Sequence, residues 1–440
     1  MKILAMAALC AAGLILSGCP ITGGTQYTVG GTVTGLSGSG LVLELNGGDG
    51  LSFTGSGSFV FGTRLANNAA YSVTVGTQPS NPTQTCTVRN GSGTIDKAGI
   101  TNVIVSCTHM GRFAYVANRQ SNSISGYGID PNTGALLPLS GSPFASNGTT
   151  PTALTVDPNG QFLFVANAGS NNVSVYSINA STGALTATGF PTAAGNSPGA
   201  VLVDPTDHYL FVANLTDNSV SAFALQSGTL TPVAGSPFVA GAQPASLTFD
   251  PNGNFLYVTN FAGNSVSVFL LDQASGILSA ISGSPFGTAA GPLSLSIDPT
   301  ETYAFVANNS AENIASYSLN DATGALTQVS GSPLAAGSNV EALTVDPAGR
   351  FVFAANAGAA NQVASYAITP ASGILTFQSS SPAASLPIGI VIDPTGNFLY
   401  TVNFNSNDVS AYTVGASGAL TAVPGSPFAA GVQPHSIAID

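Results

Sequence analysis

Few side chains in this sequence can do acid–base chemistry, and three of them, Arg119, Glu341 and His435, fall on one face of a repeating pattern. A guanidinium can anchor an anion or polarise a carbonyl, a carboxylate can act as a general base, and an imidazole can give and take a proton near neutral pH. Together they make a small polar site able to set water against a carbonyl. Other charge is scarce. The 440 residues hold 7 Lys and Arg and 19 Asp and Glu, a net charge of -12 and 6% charged residues, against roughly a quarter in an average globular domain. So few cations cannot form the basic stripe that nucleic-acid binding needs. No cluster of His, Cys or carboxylates has metal-ligand spacing, so neither a metal nor a cofactor is expected.

The elements that position the three residues are repeats. A strand ending in asparagine recurs at Asn118, Asn167, Asn214, Asn260, Asn308, Asn356 and Asn403, spaced 49, 47, 46, 48, 48 and 47 residues apart. An Asp-Pro pair follows an apolar strand at Asp157, Asp204, Asp250, Asp298, Asp346 and Asp393, and Asp440 ends a seventh such strand. Gly-Ala-Leu-Thr-like strands start at Gly134, Gly183, Gly228, Gly276, Gly324, Gly373 and Gly418, and Gly-Ser-Pro-Phe recurs, as at Gly141–Phe144. Each unit reads as four strands, A to D; in the second these are Ala153–Val156, Phe162–Ala166, Val173–Ile178 and Ala184–Ala187. Strand B is apolar on both faces, which only burial between two neighbouring sheets satisfies. Four-stranded units of this length are the blades of a β-propeller. The array opens on a strand B (Phe113–Asn118) and finishes on a strand A (Ser436–Asp440), so the last strand completes the first blade and closes a ring of seven.

Alternating strand directions put A–B turns on one face of the disc and B–C loops on the other. Each Asp-Pro aspartate opens an A–B turn, where its carboxylate accepts backbone N–H groups. The asparagines read as Asx-turn caps of the B–C loops. Function is expected where the repeats disagree. Five residues before each aspartate stand Thr152, Gly199, Ala245, Leu293, Glu341, Ile388 and His435, at the channel end of strand A; only Glu341 and His435 can ionise. Arg119 follows the first asparagine in the blade that His435 completes. Asp217, Glu312 and Asp408 are further charges on that face, while Arg112, Arg350 and His208 belong to the other.

The N-terminal segment reads as an address. Residues 1–18 form a signal peptide with an apolar run too short to span a bilayer, and Leu16-Ser17-Gly18-Cys19 resembles a lipobox, making Cys19 the lipidated first residue ahead of a short linker, 19–24. Pro20 after the cysteine favours the outer over the inner membrane of a bacterial envelope. Residues 25–108 read as a small all-β sandwich of short strands and glycine turns. Its Cys86 and Cys107 are expected to form a disulfide in an oxidising compartment.

The run Asp157–Asn167 (Asp-Pro-Asn-Gly-x-Phe-Leu-Phe-Val-Ala-Asn) with Thr182–Thr186 (Thr-Gly-Ala-Leu-Thr) resembles the seven-bladed lactonase-like propellers. That group includes 6-phosphogluconolactonase-like proteins and the Tyr-Val-Thr-Asn repeat surface proteins, whose signature is echoed at Tyr257–Asn260. The resemblance spans 112–440 and implies the propeller fold. Two functions are open. The first is a monomeric, membrane-anchored binding or scaffold module for a glycan, a peptide or another envelope protein. The alternative is an extracytoplasmic lactonase-like hydrolase using Arg119, Glu341 and His435 on an unphosphorylated sugar lactone at the channel mouth. Phosphosugar chemistry wants clustered cations, and the propeller holds only Arg112, Arg119 and Arg350.

Overall fold

The computed structural model describes residues 25–36, 39–79, 84–109 and 113–440; the leader, Cys19 and Arg112 lie outside them. Every regular element among the described residues is a strand. From residue 113 the strands form seven antiparallel sheets, each running A to D from one edge to the other. Blade 1 joins Pro434–Ile439 to Phe113–Asn118, with Ala114 opposite Ile439 and Ala117 opposite Ser436. Asp440 completes the seam by accepting the Phe113 N–H through Oδ1 at 2.8 Å. Blades 2 to 7 start at Pro151, Pro198, Pro244, Pro292, Val340 and Pro387.

Strand B is buried along its length in six of the seven blades, and blade 2 departs only at half-buried Phe162. Each core cluster accordingly mixes side chains of adjacent blades, as where Phe211 and Val220 of blade 3 meet Leu256 and Phe269 of blade 4. Tyrosine hydroxyls cross the same seams: Tyr115 donates to the Gly183 carbonyl at 2.8 Å and Tyr400 to that of Gly134 at 2.9 Å. The glycine marker is explained twice over. Gly183 has φ +69°, the left-handed region that favours glycine, and a Cβ there would stand 2.5 Å from the Phe113 ring of the preceding blade. In six blades the Gly-Ser-Pro-Phe region supplies a short fifth strand against strand C, such as Phe144–Ala145, which the sequence reading did not separate out. In blade 6 strand D runs unbroken from Leu375 to Pro382 instead.

Repeated polar residues turn out to be fold chemistry, with one correction. The aspartates are buried and hold their turns: Asp204 Oδ1 accepts from the N–H of His208 at 2.8 Å and of Tyr209 at 2.6 Å. The asparagines are not Asx caps. Each is the buried last residue of strand B, and in most blades its Nδ2 reaches across to strand C, as Asn118 does to Ser123 and Ser125 and Asn214 to Ser219 and Ser221. A buried amide needs partners, and serines five and seven residues on supply them.

Ahead of the propeller, two four-stranded sheets share one apolar core that includes Val29, Leu43, Val73 and Val105. Cys86 and Cys107 lie directly opposite on Gln84–Arg89 and Ile100–His109 and are disulfide-bonded. Asp49–Phe53 and Ser92–Thr94 are strands whose glycines and exposed polar positions hide the alternation. This unit meets the A–B face: Arg89 Nη1 stands 3.6 Å from Glu301 Oε1 in the blade 5 turn. A cavity of about 330 Å³ between them is bordered by Gly35 and Ser106 on one side and by Asp157, Pro205 and Asp440 on the other.

Candidate functional site

The opposite, B–C end of the channel opens into a cavity of about 550 Å³. All seven residues five positions before the aspartates line it, as does Arg119, so Arg119, Glu341 and His435 border one space. Strand alternation explains the layering. Residues i and i+2 of a strand face the same way, so beneath that upper ring runs a second one: Leu154, Val201, Leu247, Leu343, Ile390 and Ile437 also line the cavity.

His435 sits on the closing strand, half-buried, with Nδ1 2.7 Å from the Thr152 carbonyl of blade 2. A carbonyl oxygen only accepts, so Nδ1 carries the proton and Nε2 keeps a lone pair. Burial pushes the imidazole down to about 4, with the Arg119 charge adding to the fall and the Thr152 bond opposing it. The ring is thus neutral at pH 7. The Phe404 ring packs edge-on against it, centroids 6.2 Å apart. Glu341, two blades away on strand A of blade 6, accepts from Asn309 Nδ2 at 3.0 Å. Burial raises its pKa and the Asn309 bond partly offsets this. Arg119 stands exposed at the rim and makes no ion pair among the described residues; its backbone N–H donates to Gln433 at 2.9 Å.

A backbone latch fixes this rim. The residue just ahead of strand A has positive φ in every blade, from Thr150 (55°) to Gln433 (57°), and Leu386 (61°) does so beside the cavity. Such a conformation is costly for a bulky residue. It is held from both sides: Asn361 Oδ1 of the preceding blade accepts the Leu386 N–H at 2.8 Å, and the Leu386 carbonyl accepts from Phe404 at 2.9 Å. Asn122, Asn171, Asn218, Asn264 and Asn407 do the same elsewhere. Glu312 takes the asparagine's place next to the Glu341 blade.

Over residues 74–198, 189–289, 232–340 and 331–432 the sequence matches the family described as lactonase, seven-bladed beta-propeller. The chain belongs to the lactonase family of seven-bladed β-propellers. Among solved structures, a candidate 6-phosphogluconolactonase of Bacteroides uniformis is 22% identical with TM-score 0.67, covering 76% of this chain and 100% of its own. A periplasmic gluconolactonase of Pseudomonas aeruginosa, PpgL, is 21% identical with TM-score 0.64, covering 74% and 98%. These likenesses are of fold. No curated protein matches the sequence.

Within this lactonase-family propeller the other charges noted in the sequence have local work. Asp217 holds the Asn196 backbone N–H at 2.6 Å and its side chain at 2.8 Å, and Asp408 accepts from Asn403 at 2.7 Å. Arg350 pairs with Asp346 at 2.9 Å, and His208 bonds Thr206 at 2.9 Å in an A–B turn. Among the described residues no group of three His, Cys, Asp or Glu could hold a metal ion. Asn309 and Phe404 were missed, although the signal was present: both follow a strand B asparagine, as Arg119 does.

Proposed function

We propose that the open mouth is the active site of a hydrolase that opens an unphosphorylated lactone, on a chain lipid-anchored through Cys19 in a bacterial envelope. The observation that carries the reading is the His435–Thr152 bond at 2.7 Å, which fixes the proton on Nδ1 and leaves the Nε2 lone pair outside that bond, on a ring lining the cavity that Glu341 and Arg119 also border. Family membership supports hydrolysis over the binding or scaffold role.

The roles follow from the proton affinities. His435 Nε2 takes a proton from water as its oxygen bonds to the lactone carbonyl carbon. Arg119 faces the oxyanion that forms. Collapse breaks the ring C–O bond, and the departing alkoxide takes the proton that His435 removed from water, while Glu341, its pKa raised by burial, borders the same space as a second acid–base group. One guanidinium at the mouth is too little for a phosphate dianion, which favours several charge-assisted donors. The test is turnover of unphosphorylated lactones by the purified chain, followed by acid release above the spontaneous rate. Turnover abolished by His435→Ala supports the reading; no turnover of any lactone returns the mouth to the binding role.

A further inference from the structure

The cavity is two-sided. Its upper ring carries Glu341, His435 and Thr152 at blades 6, 1 and 2, with Ile388 of blade 7 between the first two, and is small or aliphatic at blades 3, 4 and 5 (Gly199, Ala245, Leu293). The lining residues of the lower ring are all aliphatic, with Leu154, Val201 and Leu343 only 5–6% exposed, so they form an apolar floor. The hydroxyls in the wall are engaged. Thr152 Oγ1 donates to the Pro198 carbonyl at 2.7 Å, Ser246 pairs with Thr259 at 2.8 Å, and Ser294 Oγ accepts the Leu343 N–H at 3.2 Å. A sugar lactone lying against that floor would exchange water for aliphatic carbon around the hydroxyls turned towards it, which is unfavourable for each group left unpaired.

Gly199 marks where an apolar group fits. Its backbone is not in the left-handed region, and a Cβ there would have nothing closer than Leu215 Cδ1 and the Pro244 carbonyl, both at 4.0 Å. The chain has left room for a side chain there, one blade beyond Thr152 and two from His435, where the small and aliphatic part of the upper ring begins.

Resting on the lactonase reading, we infer that the substrate is a lactone carrying an alkyl substituent, its ring held at Arg119, Glu341 and His435 and its tail lying over the aliphatic floor towards Gly199. This revises the sugar lactone expected from the sequence.

Three six-membered lactones separate the possibilities with the full chain: δ-decalactone, unsubstituted δ-valerolactone and glucono-δ-lactone. The expected kcat/KM for δ-decalactone exceeds that for glucono-δ-lactone by about tenfold or more, because several buried CH₂ groups each add to discrimination. Gly199→Leu, which fills the space, is expected to cut the ratio of δ-decalactone to δ-valerolactone turnover by about tenfold; Gly199→Ala serves if the larger residue impairs folding. Glucono-δ-lactone turned over as well as δ-decalactone, or a ratio unmoved by both variants, overturns the alkyl assignment and leaves the lactonase reading standing. If no lactone is hydrolysed, thermal shifts with a pentyl-substituted six-membered lactam and with gluconolactam decide. Stabilisation by the pentyl lactam alone upholds the alkyl site while hydrolysis fails; no preference overturns both.

Discussion

The channel has two mouths built from opposite ends of the same seven strands, and they differ in kind. At the A–B end every strand A is followed by the same residue, an aspartate that in six blades is tied into its own turn and in blade 1 closes the seam to Phe113, and the N-terminal unit lies against that face. At the B–C end the equivalent positions carry seven different residues, His435, Thr152, Gly199, Ala245, Leu293, Glu341 and Ile388, and the cavity is open. One end repeats because each blade must make the same turn; the other diverges because no turn constrains it. In a repeat protein, identity among copies therefore marks the fold, and departure from it marks where a ligand can be recognised.

The strand that carries both ends gives the largest effect. Pro434–Ile439 brings His435 to one mouth and Asp440 to the other while supplying the ladder partner of Phe113–Asn118. Deleting 434–440 exposes an inner strand edge and two core clusters. We expect the melting temperature to fall by roughly 10 °C or more; an unchanged melting curve contradicts the closed ring. Single substitutions should then split by mouth. His435→Ala should lower kcat/KM by about 10²–10⁴ and change stability by no more than about 1 kcal/mol. Asp204→Ala should do the reverse. It strands the N–H groups of His208 and Tyr209 in a buried turn, a loss of about 2–3 kcal/mol by denaturant unfolding, with turnover per folded molecule retained. Equal effects on both quantities from either variant would erase the distinction.

Acid should sharpen it. Burial raises Asp157 to about 7, and the neighbouring Asp207 carboxylate pushes the same way. Asp207 is itself held by Asn159 at 2.6 Å. Between the ordinary carboxyl range and about pH 7 the folded chain keeps a proton that the unfolded chain has lost, so the stability from Asp157 is present at low pH and lost as pH rises to 7. His435 runs oppositely. The unfolded imidazole protonates near 6.5 and the folded one only near 4, so its stability is present above 6.5 and lost as pH falls towards 4. Melting temperatures across pH 4–8 should show Asp157→Asn flattening the decline above the carboxyl range and His435→Gln flattening the decline below 6.5. The acid limb of kcat/KM should lie near pH 4 rather than 6.5 for the same reason.

Much of this division is legible in the sequence, because strands have period two and blades a period near 48. Counting back from Asp298 and Asp346 reaches Leu293 and Glu341 without coordinates, and the same count places His435 beside the channel. Contact chemistry was less visible. The Asn118 side chain satisfies serines of strand C, a pairing set by ladder register. The tautomer of His435 depends on a carbonyl 283 residues away. The neighbourhood of the polar side chains appears only when the blades are arranged in a circle, since in the chain Thr152 and His435 stand 283 residues apart although they occupy adjacent blades.

The smallest effect belongs to the covered mouth. Glu301 is 6% exposed along its side chain, and Arg89, 29% exposed, is the cation beside it. Burial raises the Glu301 pKa and Arg89 opposes that rise. Arg89→Ala leaves a buried carboxylate with the Asn252 amide and the repulsive Asp321 charge, so at pH 7 the variant should lose about 1 kcal/mol. Protonation removes the need for a cation, because a neutral carboxyl is not penalised by the loss of Arg89. The difference between wild type and Arg89→Ala should therefore shrink as pH falls through the raised Glu301 pKa and into the ordinary carboxyl range. Glu301→Gln should behave at pH 7 like the protonated wild type and be insensitive to a second change at Arg89. A difference that stays constant from pH 7 to pH 4 would mean that Arg89 acts by packing alone, and that the two units meet without an electrostatic clasp.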